Sequence, residues 1–144
     1  MKKIFVLICA ILLIVAITIM FNFKNIEKEN EEIAKFNANY ELYNSQTLNG
    51  LDVITVINKA ISNNEKYEIP KDKEGLYILD DEYSIEVYVT MIINEKTYRM
   101  ERISDLGINS FVAYFGEVGF KCTDVKYHEK TGRIASLTFE TTEE

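Results

Sequence analysis

The sequence predicts an α+β protein: a long N-terminal transmembrane and stalk helix, a second buried helix, and an antiparallel sheet of about five strands with a short inserted helix. Three observations lead to this prediction. Residues 4–23 contain no charged side chain. The apolar side chains that follow recur at helical spacing, and from Leu76 onward they alternate as in strands. The predicted organisation is an anchor over 1–23, a helical stalk over 24–48 and an extracytoplasmic α+β domain over 49–144.

Residues 4–23 are long enough to cross a membrane as a helix. At about 1.5 Å per residue, this segment covers about 30 Å, the thickness of a hydrocarbon core. Lys2 and Lys3 precede it and four glutamates lie within 27–32, so the positive-inside rule predicts a cytoplasmic N-terminus, although Lys24 opposes it. The alternative is a cleaved secretory signal, whose apolar region is usually about 7–15 residues long and ends at small residues. No such pair of small residues closes this segment, which favours an anchor.

Charge and cysteine content limit the remaining possibilities. Of the 16 basic and 23 acidic residues, two lysines precede the anchor, which leaves a net charge of −9 beyond residue 23. A soluble part with this much negative charge should repel nucleic acid and anionic lipid, and no nucleic-acid partner is expected. Cys9 lies in the anchor and Cys122 in the domain, so they cannot pair and the domain must be held by its core alone. Cys122 is expected to be a small buried apolar side chain.

The stalk carries the candidate partner-binding surface. Apolar side chains of 24–44 share one helical face, and the members of this stripe are Ile33, Phe36, Tyr40 and Tyr43. The stripe should dock either on the domain of its own chain or on a neighbouring subunit, and the first alternative is favoured.

A second helix is predicted to begin after Asn49. This residue has the right side chain for an N-cap, and Asp52 supplies an acid at the third helical position. The helix covers 51–62 with a wide apolar face, which predicts that it is largely buried. Asn63 and Asn64 should end it, because Asn tolerates the left-handed conformation.

The rest of the domain is predicted to be strands. Residues 76–79 form a short strand and 80–82 a turn. In the strand 85–93, the odd-numbered residues Ile85 to Ile93 face the core and Glu86 faces outward. A turn at 94–97 reverses the chain, and the returning strand pairs Met91 with Met100.

A short helix and a hairpin complete the predicted domain. Asn109 should cap a helix over 110–117. The hairpin joins 120–128 to 133–140, with Gly132 in the positive-φ position of its loop. The apolar residues of its first strand change parity, which predicts a β-bulge near 123–124.

Candidate chemistry is sparse in this sequence. Asp80, Asp81 and Glu82 are the weak candidates for a metal site, since carboxylates suit Ca²⁺, although an acidic solvated loop is the simpler interpretation. The single histidine, His128, is expected to be a solvated turn residue. It stands about 20 Å along a strand from Cys122, too far for proton transfer. Neither catalytic residues nor a cofactor is predicted, and a non-enzymatic role is favoured.

The layout of Met1 to Tyr43 followed by an α+β head resembles type IV pilins and pseudopilins, in which an apolar helix becomes the spine of a sheet-bearing head. The residues that direct pilin processing do not match: the first glycine is Gly50, and no acidic residue lies within 1–26. The chain is therefore similar in layout to small bacterial membrane-anchored proteins, and no site residue is carried over. The abundance of Asn, Lys, Ile and Glu resembles proteins from AT-rich bacterial genomes.

Three functions follow as hypotheses. The first is a membrane-anchored extracytoplasmic binding or structural protein, an accessory subunit of a cell-envelope assembly. The second is a pilin-like subunit that polymerises through its N-terminal helix. The third, less favoured, is an envelope enzyme.

Overall fold

The computed structural model describes residues 2–44, 46–79 and 81–142. The chain divides into two units, Met1–Lys35 and Phe36–Glu144, and the second is called the head below. The division falls inside the segment predicted as a stalk. The fold class is confirmed as α+β, and the helices and strands are α1 (Lys2–Glu41), β1 (Thr47–Leu48), α2 (Gly50–Lys66), β2 (Glu86–Met91), β3 (Lys96–Arg99), α3 (Met100–Leu106), α4 (Ile108–Phe115), β4 (Phe120–Tyr127) and β5 (Ile134–Thr141).

The first unit consists of most of α1. Its most apolar 18-residue window has a mean hydropathy of 3.3, and none of that window is buried. The helix is long and apolar enough to cross a membrane, although a signal sequence near an N-terminus has the same properties. Thr18 donates its hydroxyl to the carbonyl of Ile14 at 2.9 Å, so this polar side chain is satisfied within the helix.

The head is built on one five-stranded sheet. The strand order is β1-β4-β5-β2-β3. The prediction of an antiparallel sheet is wrong at one pair: β2 and β5 run parallel, with Val87 opposite Leu137, so the sheet is mixed. The chain leaves β2, forms β3, α3, α4 and β4, and only then adds β5 beside β2, a non-local pairing that periodicity does not reveal.

Helix α2 is the main helical layer of the core. Asn49 and Asp52 form the predicted capping box, each side chain accepting from the other's backbone N–H at 3.0 and 3.1 Å. The buried face is centred on Val53, Val56, Ile57 and Ala60, which are fully buried, whereas Leu51 in the first turn of the helix is exposed.

The end of α2 differs from the prediction. The helix continues past Asn63 and Asn64 to Lys66. Asn64 is fully buried and bonds both backbone groups of Ile85, accepting from its N–H at 2.9 Å and donating to its carbonyl at 2.8 Å. This pairing replaces the expected helix termination with a link between α2 and the start of β2.

The hairpin of β2 and β3 is shorter than predicted. The strand ends at Met91, residues Ile92–Asn94 form a 3₁₀ turn, and Met91 pairs with Lys96 rather than with Met100. The observed partner of Met91 differs from the predicted one by an even number of residues. The odd-numbered residues of β2 therefore still share a face with the even-numbered residues of β3, as predicted. The residues expected to continue the returning strand form helix α3 instead, beginning at Met100.

Three further local predictions have definite outcomes. Residues 76–79 do not form a strand; Tyr77 makes only an isolated bridge with Lys71. The short helix α4 is present, but its N-cap is Gly107 with no side-chain bond, and Asn109 lies inside the helix. The hairpin of β4 and β5 is confirmed, including the register shift between Cys122 and Asp124 and a φ of 68° at Gly132.

Candidate functional site

The residues of the predicted partner-binding stripe lie in different parts of the chain. Tyr40 and Tyr43 are buried in the head, and Phe36 packs against its core. Ile33 lies in the first unit. Tyr43 accepts a hydrogen bond from Lys59 Nζ at 2.8 Å. The three members of the stripe that belong to the head, Phe36, Tyr40 and Tyr43, therefore contribute to the packing of its core.

Two of the three acidic candidates for a metal site, Asp81 and Glu82, have partners of their own. Asp80 lies outside the described residues. Asp81 Oδ1 accepts from the N–H of Tyr83 at 2.7 Å, and Glu82 pairs with Lys130 Nζ at 2.7 Å. Among residues 2–44, 46–79 and 81–142, no three metal-ligating side chains converge. Asp81 and Glu82 organise a turn and an ion pair with the β4–β5 loop.

His128 and Cys122 are both held by the fold. The histidine is only half solvated, contrary to the prediction, because its Nε2 lies 2.7 Å from the carbonyl oxygen of Ser84. Cys122 is buried and unpaired, as predicted, with its Sγ 3.7 Å from the carbonyl of Asp124. Burial raises the pKa of the Cys122 thiol, which favours the protonated, unreactive form.

Sequence reasoning missed a buried charge network. Arg99 on β3 binds Glu86 on β2 through Nε at 3.1 Å and through Nη2, and it binds Glu101 at 3.1 Å. The N–H of Met100 donates to the other oxygen of Glu86 at 3.2 Å, and the N–H of Tyr77 donates to Glu101 at 2.7 Å. Alternation placed Glu86 on the outer face, and the loop around Tyr77 covers that face.

Two carboxylates share this one arginine. Burial raises the pKa of Glu86 to about 7, an effect that the hydrogen bond from Arg99 opposes and the charge of Glu101 reinforces. Burial alone would lower the pKa of Arg99, but its contacts with Glu86 outweigh this and raise it. Since Glu86 is fully buried, it cannot touch a ligand; the network ties the 71–77 loop to the sheet.

A second missed cluster surrounds Arg133. This side chain is 5% exposed, and its guanidinium carbon lies 3.8 Å from the ring centre of Phe36, 5.0 Å from Tyr83 and 5.3 Å from Tyr67. The two tyrosine rings stack at 4.7 Å, and Arg133 Nη2 lies 3.5 Å from Asn63 Oδ1. Cation–π contacts of this kind stabilise a desolvated cation. Residues so far apart in sequence carry no local signal for this cage.

The head has an apolar cavity at one end of the sheet, which is the candidate site. Its volume is about 150 Å³. The interior is buried and the rim is exposed, with Ile93 at 96% and Leu106 at 67% exposure. The principal lining residues are Met91, Ile93, Ile103, Leu106, Phe111 and Phe115.

A wider groove continues from this cavity. Its volume is about 700 Å³, and it shares Met91, Ile93 and Phe115 with the cavity before it reaches Thr141 at the end of β5. Of the described residues that line the cavity and groove, Glu117 alone is charged. The whole head is acidic, with 11 Lys and Arg against 19 Asp and Glu.

Sequence reasoning assigned Ile93 to the core and so missed this surface. Strict alternation from Ile85 predicts an inward Ile93, but the strand ends at Met91 and the 3₁₀ turn carries Ile93 out to the tip. The signal that was available is Asn94-Glu95, where Glu95 takes a left-handed φ of 54° and closes the turn earlier than expected.

Comparisons with known proteins give no relative: no family model, no curated protein and no solved structure matches this chain.

Proposed function

We propose that the protein is a single-pass membrane protein whose head lies outside the cytoplasm and works by binding, as an accessory or structural subunit of a cell-envelope assembly. The observation that carries the proposal is the form of α1, an unbroken helix that is strongly apolar over its first half and contributes Tyr40 to the core of the head. An apolar helix of this kind holds a folded domain at a membrane.

Charge supports the orientation. Lys2 and Lys3 lie at the N-terminal end of the apolar segment, and glutamates dominate the residues that follow it. The positive-inside rule then keeps the N-terminus in the cytoplasm and exports the head. The head contains one cysteine, Cys122, so oxidising conditions offer it no internal disulfide to form.

The apolar end of the head supports a binding role. A cavity and groove rimmed by exposed Ile93 and Leu106 form the kind of apolar surface that marks interaction sites on soluble domains.

Membrane fractionation followed by protease treatment of intact spheroplasts tests the proposal. The full chain should remain in membranes washed with alkaline carbonate, because its apolar helix stays in lipid. External protease should remove the head, while a cytoplasmic marker protein stays intact. A chain recovered in the culture fluid and trimmed near Phe23, or a head protected inside spheroplasts, would refute it.

A pilin-like subunit is the second candidate, and the continuity of α1 from the apolar segment into the head favours it. Pilin-like assembly predicts that shearing intact cells releases the chain in fibres that contain residues 4–23. An accessory subunit stays with the cell envelope under the same shear, so one experiment separates the two candidates.

A further inference from the structure

The cavity beside Ile93 has the volume of a single side chain. An apolar cavity of roughly 150 Å³ lined by Leu, Ile and Phe accepts benzene, and the cavity between α3, α4 and the end of β2 has about 150 Å³. Its inner lining is almost wholly apolar, with Ile103 at 2% and Phe111 at 6% exposure. A phenyl ring or a leucine side chain would fill it.

The rim of the cavity is formed by exposed apolar side chains. Ile93 is 96% exposed at the tip of the β2–β3 turn and Leu106 is 67% exposed at the end of α3. Exposed apolar side chains around an apolar cavity are the arrangement of a docking site.

Charge indicates what kind of partner approaches. Glu117 is exposed in the groove beside the cavity, and the head as a whole carries a net charge of −8. A positively charged segment is therefore attracted and an acidic one repelled.

The cavity lies at the far end of the sheet from the first residues of the head. Asn37 binds the start of β5, accepting from the N–H of Ile134 at 2.9 Å, whereas Thr141 at the other end of β5 lines the groove and accepts from the N–H of Ile92 at 3.0 Å. At about 3.3 Å per residue, the strand separates them by about 23 Å. The first residues of the head therefore do not cover the cavity.

We propose that this cavity receives one phenylalanine or leucine side chain of a partner protein, presented on a segment rich in lysine or arginine. The proposal rests on the binding role given above and names its surface. The apolar side chain fills the cavity, its neighbours lie in the groove, and their positive charges meet Glu117.

Synthetic peptides added to the full chain in lipid nanodiscs test this directly. The first probe has one central phenylalanine between pairs of lysines; the second has alanine at the centre, and the third has glutamates in place of the lysines. Methyl NMR signals of Ile93 and Ile103 report occupancy. The first peptide should shift both signals. The affinity of the alanine peptide should be lower than that of the first peptide by a factor of about ten or more, because it buries no ring. Added salt should lower the affinity of the first peptide, because it screens the lysine charges.

Two variants and a control locate the binding. Ile93→Glu places a charge on the rim without touching the core, and it should abolish the shift of the Ile103 signal. Glu117→Gln should lower the affinity of the phenylalanine peptide with lysines. The ratio of affinities between the phenylalanine and alanine peptides should stay the same. Leu51→Glu is the matched control, because Leu51 is an apolar side chain, 52% exposed on α2, that does not line the cavity; binding should be unaffected.

Other occupants give different results, and each would overturn the proposal. Signals that change with protein concentration before any peptide is added indicate a second copy of the chain. A shift on addition of octanoyl glycerol but with none of the peptides indicates an acyl chain. If the Ile103 signal responds to no probe, the cavity is not a binding site. If the same chain still fractionates with membranes and exposes its head, the proposed function is retained.

Discussion

At the scale of single residues, the head stabilises its buried charges in two different ways. Glu86 receives hydrogen bonds from the side chain of Arg99 on β3 and from the backbone of Met100, the first residue of α3. Arg133 has aromatic faces around it in place of a carboxylate, and its Nε is buried without a hydrogen-bond partner. Removing Arg99 would leave the carboxylates of Glu86 and Glu101 without a positive partner, and removing the aromatic rings would leave the guanidinium of Arg133 without its π contacts. An uncompensated buried charge is strongly destabilising in a protein interior.

The raised pKa of Glu86 predicts a pH-dependent stability. Burial raises its pKa from 4.5 to about 7, so the folded protein holds this proton more tightly than the unfolded chain does. Its contribution to the free energy of unfolding is therefore fully present below about pH 4.5 and is lost as the pH rises through about 7. Thermal unfolding of the purified protein, followed by tyrosine circular dichroism, should show this decline, and Glu86→Gln should flatten it.

Glu129→Gln serves as the control for this experiment, because Glu129 is an exposed carboxylate in the β4–β5 loop. It should leave the pH profile unchanged. A Glu86→Gln variant whose stability still falls by the same amount between pH 4.5 and 7 would show that another group carries the dependence.

At the scale of helices and strands, two predictions from local signals were confirmed, and two features that depend on distant partners were missed. A few adjacent residues determine the capping box at Asn49 and the bulge before Asp124. The parallel pairing of β2 with β5 and the burial of Asn64 depend on segments far apart in the chain. The returning strand was expected to continue through Met100, where helix α3 begins instead. A short apolar run fits a strand as well as a helix, so its spacing does not distinguish the two.

Gly50 shows how closely these elements approach. A Cβ on this residue would lie 2.1 Å from the carbonyl oxygen of Phe115 at the end of α4, and the Gly50 N–H donates to the carbonyl of Gly116 at 3.0 Å. Only a residue without a side chain permits this backbone contact, which sets the distance between α2 and α4.

The link from α2 to β2 through Asn64 predicts a large effect of one substitution. Asn64→Leu has a similar volume but leaves the N–H and the carbonyl of Ile85 without the partner they have now. Each buried unsatisfied group costs about 1–3 kcal/mol, so the free energy of unfolding should fall by about 3 kcal/mol and Tm by more than about 10 °C. Thermal unfolding monitored by tyrosine circular dichroism measures this.

Asn58→Leu is the matched control on the same helix, since Asn58 is exposed. Its effect should stay within about 0.5 kcal/mol. Equal losses in the two variants would mean that the side chain of Asn64 does not hold β2 in place.

At the scale of the whole molecule, composition is informative about the helix and uninformative about the site. The uninterrupted apolar segment identifies α1 from sequence, because mean hydropathy is an average over neighbouring residues and needs no distant contact. The cavity beside Ile93 is assembled from β2, α3 and α4, and its existence depends on where one hairpin turns. The alternation of β2 predicts an inward Ile93 and so hides the site, and only the turn residues Asn94 and Glu95 indicate the earlier reversal.

The orientation proposed for the whole chain rests on few charges, which makes it testable by charge reversal. Lys2 and Lys3 are the basic side chains before the apolar segment, and cytoplasmic retention of such residues determines which end is exported. Replacing both with glutamate leaves Lys24 as the nearest positive charge, on the opposite side. A substantial share of the heads should then be protected from external protease in spheroplasts, whereas nearly all heads of the unaltered chain should be digested.

Lys73→Glu combined with Lys121→Glu is the control, because it makes the same change in total charge at exposed positions of the head. It should leave orientation unaffected. If the two double variants behave alike, the charges at the N-terminal end do not determine the orientation, and the membrane topology must be set by the fold of the head.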